Sequence, residues 1–509
     1  MEVVAGIDSS TQSTKVELRR TDSGELVGAG RAPHPATSVA GVPGASQADP
    51  ATWWTALGAA MAAARTDAGP VEVVALAVAG QQHGLVALDD RGEVLHPALL
   101  WNDVRAAPQA AELVLGEGRH WWAQRCGSVP VAAFTVAKLA WLAAVDPDAI
   151  ARLATVLLPH DWLTWRLTGS QVTDRGDASG TGWWSPRSAA YVPEALGAAL
   201  TVGFEAAAAR ATAGAGAAPD PGRWPHPDDL ALRLPRVLGP TEVAGHLTAE
   251  AADALGLEPG AVVAPGTGDN MAGALGTGLV TGDVAVSIGT SGTVYAVTAE
   301  PTADPSGAVA GFADAAGGYL PLVCTLNATG VTDAVARLLG VDHAGLDELA
   351  RSAPTGADGL VLVPYLAGER TPDRPEATGT LAGIRTDVTR PALARAAVEG
   401  VVCGLLEGLD ALRAAGVGAD GRLVLVGGGS RSPAYRQVLA DLAGRAVTVP
   451  AGDEHVARGA CVQAAAVATG SDPTEVARRW RPDAAHEVVP EVGGEQAAAI
   501  RAAYAAARG

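Results

Sequence analysis

GIDSSTQSTK, residues 6–15, follows directly on the apolar run Val3-Val4-Ala5 and leads into KVELRR, residues 15–20. With the turn TDSGE (21–25) and the run LVGAGRA (26–32), these segments read as a β-meander over residues 2–33. Its first turn is crowded with hydroxyls, and backbone N–H groups joined to Ser and Thr donors form a concave anion site. Asp8 is out of place there, because a carboxylate repels phosphate. Its natural task in such a loop is to hold Mg²⁺, an ion that keeps several waters and few protein ligands. The alternative for Asp8 is an Asx-turn or cap. Lys15 closes the stretch, and it is one of two lysines among 36 basic residues, the other being Lys138.

Outward from this loop the chain is long and α/β in character. At 509 residues, two domains are expected. Apolar residues make up 48 % and Gly and Ala are abundant, which suits close helix–strand contacts. The net charge of −19 argues for solubility and against a nucleic-acid surface. Cys126, Cys324, Cys403 and Cys461 are scattered without a C-x-x-C pair, so buried thiols are expected rather than zinc ligands or disulfides. No signal segment or membrane-spanning run is recognised, and the expected location is cytoplasmic, without membrane partners.

The second half restarts the pattern of the first. DVAVSIGTSGTVYAV (283–297) is again strand, hydroxyl-rich turn, strand. Each half also has a later strand ending in a glycine loop, LAVAGQQHG (76–84) and LVLVGGGSRS (423–432). Such a repeat suggests a duplicated α/β unit facing itself across a cleft. The Gly/Ala/Pro-rich stretch 211–229 reads as an unpacked excursion, and the division is expected just after it, giving domains 1–242 and 243–509. After GGGSRS, Ser432 and Pro433 start a helix that Gly444 ends.

Either hydroxyl-rich loop alone also fits an ordinary polar hairpin turn. Two such loops plus a third glycine loop favour a nucleotide, although neither G-x-x-x-x-G-K-[ST] nor G-x-G-x-x-G occurs. The segment PGTGDNMAGALGTG (265–278) places Asp269 and Asn270 at the end of a strand. A carboxylate there can take the proton of an attacking hydroxyl in phosphoryl transfer, or it can simply cap the helix.

Eight segments occur in the order found in the FGGY carbohydrate kinases: GIDSSTQSTK, AGQQHG, LLWNDVRA, LLPHDWLTWRLTG, PGTGDNMAGALGTG, SIGTSGT, VPYLAGERTP and VGGGSRS. The chain resembles that family from residue 4 to about 470. The resemblance implies two RNase H-like domains of the actin/hexokinase type facing a central cleft. It implies transfer of phosphate from ATP, with Mg²⁺, to a small sugar, in first place D-xylulose at its 5-hydroxyl. L-Ribulose, glycerol, L-fuculose and gluconate are the alternative acceptors, and a nucleotide-binding protein of the same fold without transfer is a further one. A homodimer is compatible with it.

The resemblance also assigns residues. Asp269 maps to the general base, and Asp8 to the residue serving metal and phosphates, both being candidate metal ligands. Gln82, His83, Trp101, Asp103 and Asn270 map to the sugar site. Ser9, Thr11, Gln12 and Lys15 map to the β/γ end of the nucleotide, although Lys15 also fits a lysine simply facing solvent. Gly289, Thr290 and Ser291, with Gly427, Gly428, Gly429 and Ser432, map to the phosphate and adenosine loops. Two departures stand out: the first loop has Ser9-Ser10-Thr11 where the family commonly has a glycine, and Gln82 stands where Met is usual.

Overall fold

The computed structural model describes residues 1–216 and 218–509, and these divide into two compact units. The first comprises Met1–Leu279, Ala299–Leu320 and Glu454–Arg481; the second comprises Val280–Thr298, Pro321–Asp453 and Pro482–Gly509.

The first unit is built on the expected meander. Strands Glu2–Ser9, Ser13–Arg20 and Leu26–Pro33 pair antiparallel in sequence, and Glu72–Gly80 lies parallel to the first of them. Alternation along Glu2–Ser9 sorts its two faces. Val3, Ala5 and Ile7 enter a core with Trp53, Leu57 and Met61 of helix Pro50–Ala68. Val4, Gly6 and Asp8 take the opposite face, where helix His455–Thr469 packs so closely that a Cβ on Gly6 would lie 2.0 Å from the Ala457 carbonyl oxygen.

The expected division at 242/243 falls inside this unit. Val262–Val263 and Thr267–Gly268 pair parallel to Glu72–Gly80, so the sheet continues past residue 242 and carries Asp269 with it. Segment 454–481 likewise belongs to the first unit, although it lies late in the sequence.

The second unit repeats the plan. Strand Val284–Ile288 is antiparallel to Gly292–Ala296 and parallel to Leu423–Val426, which is in turn parallel to Val447–Pro450. Gly292–Ala296 is antiparallel to the end of Tyr319–Thr325. An antiparallel meander extended by parallel strands is therefore present twice, as the duplicated sequence pattern implies. Ser432 accepts the Tyr435 N–H and caps helix Pro433–Ala443, which Gly444 ends in the left-handed conformation.

The described residues of stretch 211–229 are more ordered than its composition suggests. Helix Pro193–Thr212 runs into it, Asp220 caps the 3₁₀ turn Pro221–Arg223, and helix Pro227–Arg233 begins within it. Trp224 sets its ring edge-on to Phe204, with centroids 5.5 Å apart. Position 217 lies outside the described residues. All four cysteines are buried free thiols. Among the described residues, no helix is long and apolar enough to cross a membrane.

Candidate active site

Strand register brings the chemistry of the first unit to one edge. Asp8 pairs with Ala79 and Ser9 with Gly80 on one side of the central strand Glu72–Gly80. On the other side of that strand, Thr267 pairs with Ala79 and Gly268 with Gly80. Three parallel strands thus end together, and their next residues are the hydroxyl turn after Ser9, the Gln81–Gln82–His83 turn, and Asp269. Ligands of α/β sheets bind at such carboxyl ends.

Asp8 is 3 % exposed. One carboxylate oxygen lies 3.4 Å from Lys15 Nζ across the antiparallel pair; the other is buried without a partner, as is Ser9 Oγ. Burial, opposed by Lys15, pushes the Asp8 carboxyl up to about 6. Lys15 also reaches Glu454 at 2.6 Å. Glu454 stands at the start of helix His455–Thr469, so Lys15 is held between two carboxylates rather than left facing solvent.

Asp269 opens helix Asp269–Gly276 and is partly exposed. Its Oδ1 accepts both the backbone N–H and the side-chain Nδ2 of Asn270, the latter at 2.9 Å. Desolvation of the carboxyl by the surrounding protein, then the negative charges of Asp8 and Asp177, outweigh those bonds and raise the Asp269 carboxyl to about 7. A base poised near neutrality suits proton removal from an alcohol.

The Gln81–His83 turn faces this carboxylate from the middle strand. Asn270 Nδ2 donates to Gln82 Oε1 at 3.0 Å, while Gln82 Nε2 is buried without a partner. His83 is buried with φ of 65°, a conformation rare for any residue but glycine. Its Nδ1 donates to the Gly180 carbonyl at 2.7 Å, and its ring lies between Phe134 and Phe312, with centroids 4.8 and 5.5 Å away. Trp101 Nε1 donates to Thr11 Oγ1 at 2.9 Å, and Thr11 donates to Gln81, so the tryptophan is tied to the first loop.

Asp103 and Gln12 stand apart from this group. The Asp103 carboxylate accepts two nitrogens of the Arg105 guanidinium, at 2.6 Å for the shorter contact, and the Ser46 backbone N–H. It is spent on shaping the loop that bears Trp101. Gln12 is exposed.

A buried polar layer lies beneath the loop that bears Asp269, and the sequence reading did not single it out. Thr267 Oγ1 donates to Asp174 Oδ2 at 2.7 Å, and His160 Nδ1 lies 2.7 Å from Asp177 Oδ2. Burial pulls the His160 imidazole down, but Asp161, Asp177 and Asp174 together raise it to about 9. A cationic His160 among three carboxylates offsets charge that would otherwise gather under Asp269. His160, Asp161, Asp174 and Asp177 fall in or just after LLPHDWLTWRLTG, and their role depends on contacts that sequence spacing does not reveal.

In the second unit, Gly289, Thr290 and Ser291 form the turn after strand Val284–Ile288, beside the glycine loop that follows Leu423–Val426. A Cβ on Gly427, whose φ is 82°, would lie 2.7 Å from the Ile288 carbonyl oxygen, and one on Gly429 would lie 2.4 Å from Ile288 Cγ2. Only glycine lets these two loops lie together. The Ser432 hydroxyl caps its helix and donates to Asp347, so it is already engaged.

The chain is similar to known carbohydrate kinases over most of its length. Residues 3–201 match the model of the FGGY family of carbohydrate kinases, N-terminal domain, and residues 284–468 match its C-terminal domain. A xylulose kinase of Streptomyces rubiginosus is 48 % identical over 94 % of this chain and 90 % of its own length. The crystal structure of xylulose kinase from Bifidobacterium adolescentis superposes with a TM-score of 0.82 at 39 % identity, covering 100 % of this chain and 99 % of that one. Plasmodium falciparum glycerol kinase with ADP shares the fold, with a TM-score of 0.84 over 100 % and 98 % of the two chains, at 18 % identity.

Proposed function

The chain belongs to the FGGY family of carbohydrate kinases, and we propose that it transfers the γ-phosphoryl group of ATP to the 5-hydroxyl of D-xylulose. The observation that carries this reading is the convergence of Asp8, Gln82–His83 and Asp269 on one strand edge. Relatives named xylulose kinase at 48 % and 46 % identity support the choice of sugar.

Asp269 accepts the proton of the attacking hydroxyl as its oxygen engages phosphorus, leaving D-xylulose 5-phosphate and ADP. Asn270 holds the carboxylate, and through Gln82 it turns an amide donor towards substrate oxygens. His83 and Trp101 flank the sugar chain. The Ser9–Thr11 turn supplies donors to the phosphates, and Lys15 adds positive charge beside it. Gly289–Ser291 and Gly427–Gly429 serve the nucleotide.

The unpartnered Asp8 oxygen fits a magnesium ion held largely by water and phosphate. Asp8, with Asp269 near it, would hold Mg²⁺ arriving with the nucleotide, and the ion would neutralise phosphate charge.

Two measurements test this reading. ADP release is compared across D-xylulose, L-ribulose, D-ribulose, glycerol, L-fuculose and gluconate, with a sugar-free control. D-xylulose is expected to give the highest kcat/KM. A higher value for another acceptor moves the error to the Gln82–His83 pair, and no acceptor-stimulated release defeats the kinase reading. The second is a pH profile. Protonated Asp269 cannot take a proton, and its carboxyl lies raised to about 7, so kcat/KM should fall as pH drops through that value. A profile flat from pH 8 to pH 5 would rule out Asp269 as the base.

A further inference from the structure

The chain keeps only two lysines among 36 basic residues, and both stand at the active site of the first unit. Lys15 meets Asp8. Lys138 is completely buried on helix Thr135–Val145, and its Nζ donates to the His83 carbonyl at 3.1 Å and to the Ala133 carbonyl. Thr135 Oγ1 donates to the same His83 oxygen at 3.3 Å.

Two donors on one carbonyl matter because of where that carbonyl is. His83 is held at φ 65°, and a non-glycine residue in the left-handed region persists only where its surroundings enforce it. The backbone there sets the direction of the Gln82 amide and the His83 ring. The Gly180 carbonyl fixes the ring's Nδ1 side, and Phe134 and Phe312 fix its faces. Those contacts hold the ring, whereas Lys138 and Thr135 hold the main chain. A lysine suits the task better than an arginine, because a compact nitrogen on a slim stem can reach backbone carbonyls in a closed socket. A planar guanidinium fork needs a wider one.

We propose that Lys138, assisted by Thr135, is a positioning residue for the sugar: it pins the His83 carbonyl and thereby keeps the Gln82–His83 pair in its substrate-facing conformation. The proposal rests on reading that pair as the sugar site.

The test compares Lys138→Met and the milder, near-isosteric Thr135→Val with the wild type, using the best acceptor of the panel above. Lys138→Met is expected to raise the sugar KM about tenfold or more, the scale of a lost buried hydrogen bond. The KM for ATP should stay within about twofold and kcat should fall by less, because nothing at Asp269 changes. Thr135→Val should raise the sugar KM about threefold, and it remains informative if Lys138→Met does not fold. In a His83→Gly background, where glycine adopts the left-handed conformation without help, Lys138→Met and Thr135→Val should add little further loss.

An unchanged sugar KM in Thr135→Val, alone or together with Lys138→Met, overturns the proposal. So does a parallel loss in sugar KM, ATP KM and kcat, or an undiminished effect in the His83→Gly background. Failure of the wild type to phosphorylate any acceptor overturns the reading of the sugar site and this assignment with it, and is distinguished by the wild-type assay alone.

Discussion

Asp269→Asn is expected to lower kcat by roughly 10²–10⁴-fold, the usual worth of a positioned base, while leaving sugar binding measurable by calorimetry. The substitution keeps the shape and the Asn270 contacts, so it removes proton acceptance more cleanly than truncation to alanine does. The size of the loss depends on how the carboxylate is poised. Desolvation and the charges of Asp8 and Asp177 raise it to about 7, high enough to bind a proton in the transition state and low enough to be available at neutral pH. A variant with turnover close to wild type would show that the alcohol loses its proton elsewhere, either to phosphate or to water. Loss of sugar binding along with turnover would instead give Asp269 a binding role. Asp269→Ala should lose turnover to a similar extent, again with sugar binding retained.

Much of this arrangement is legible in the sequence, for identifiable reasons. The meander shows because Val3-Val4-Ala5 and KVELRR carry strand patterning on both sides of a polar turn, and the turn marks Asp8. The loops at Asp269, Gly289 and Gly427 show because glycine and hydroxyl residues interrupt apolar runs at strand ends. Ser432 and Pro433 announce a helix start by local chemistry alone. What escapes the sequence is whatever depends on distant packing. Glu454 reaches Lys15 only because segment 454–481 folds back into the first unit. The boundary near 242 fails for the same reason: Val262–Val263 and Thr267–Gly268 are strands of two residues each, too short to announce that the first sheet continues. Asp103 carries the right letter beside Trp101, yet Arg105, two residues away, takes up its carboxylate. The His160 layer stayed hidden because its carboxylates come from two helices and a strand.

Gly459→Ala should be among the most destabilising single-methyl changes in the chain, with a substantial loss of activity. Helix His455–Thr469 lies between strand Glu2–Ser9, which carries Asp8, and helix Asp269–Gly276, which begins with Asp269. Its closeness to both depends on missing side chains. A Cβ on Gly459 would sit 1.8 Å from the Ala272 carbonyl oxygen, and one on Gly276 would sit 1.9 Å from the His455 carbonyl oxygen. Both obstacles are backbone atoms, so no rotamer change relieves them and the helices must separate. Overpacking of this kind costs about 1–3 kcal/mol and sometimes more, and here the upper end is expected because the strand behind the helix is also in contact. Separation would carry Asp269 away from Asp8 and Gln82, so kcat should fall even in the fraction that stays folded. Gly418→Ala is the control, because that glycine is exposed and its Cβ would meet open space; it should shift stability by less than about 0.5 kcal/mol. Denaturant unfolding followed by tryptophan fluorescence, with turnover measured on the same preparations, gives both quantities. Equal stability of the two variants would mean that the helices part without cost, and the joining of Asp8 and Asp269 through this one helix would then have to be abandoned.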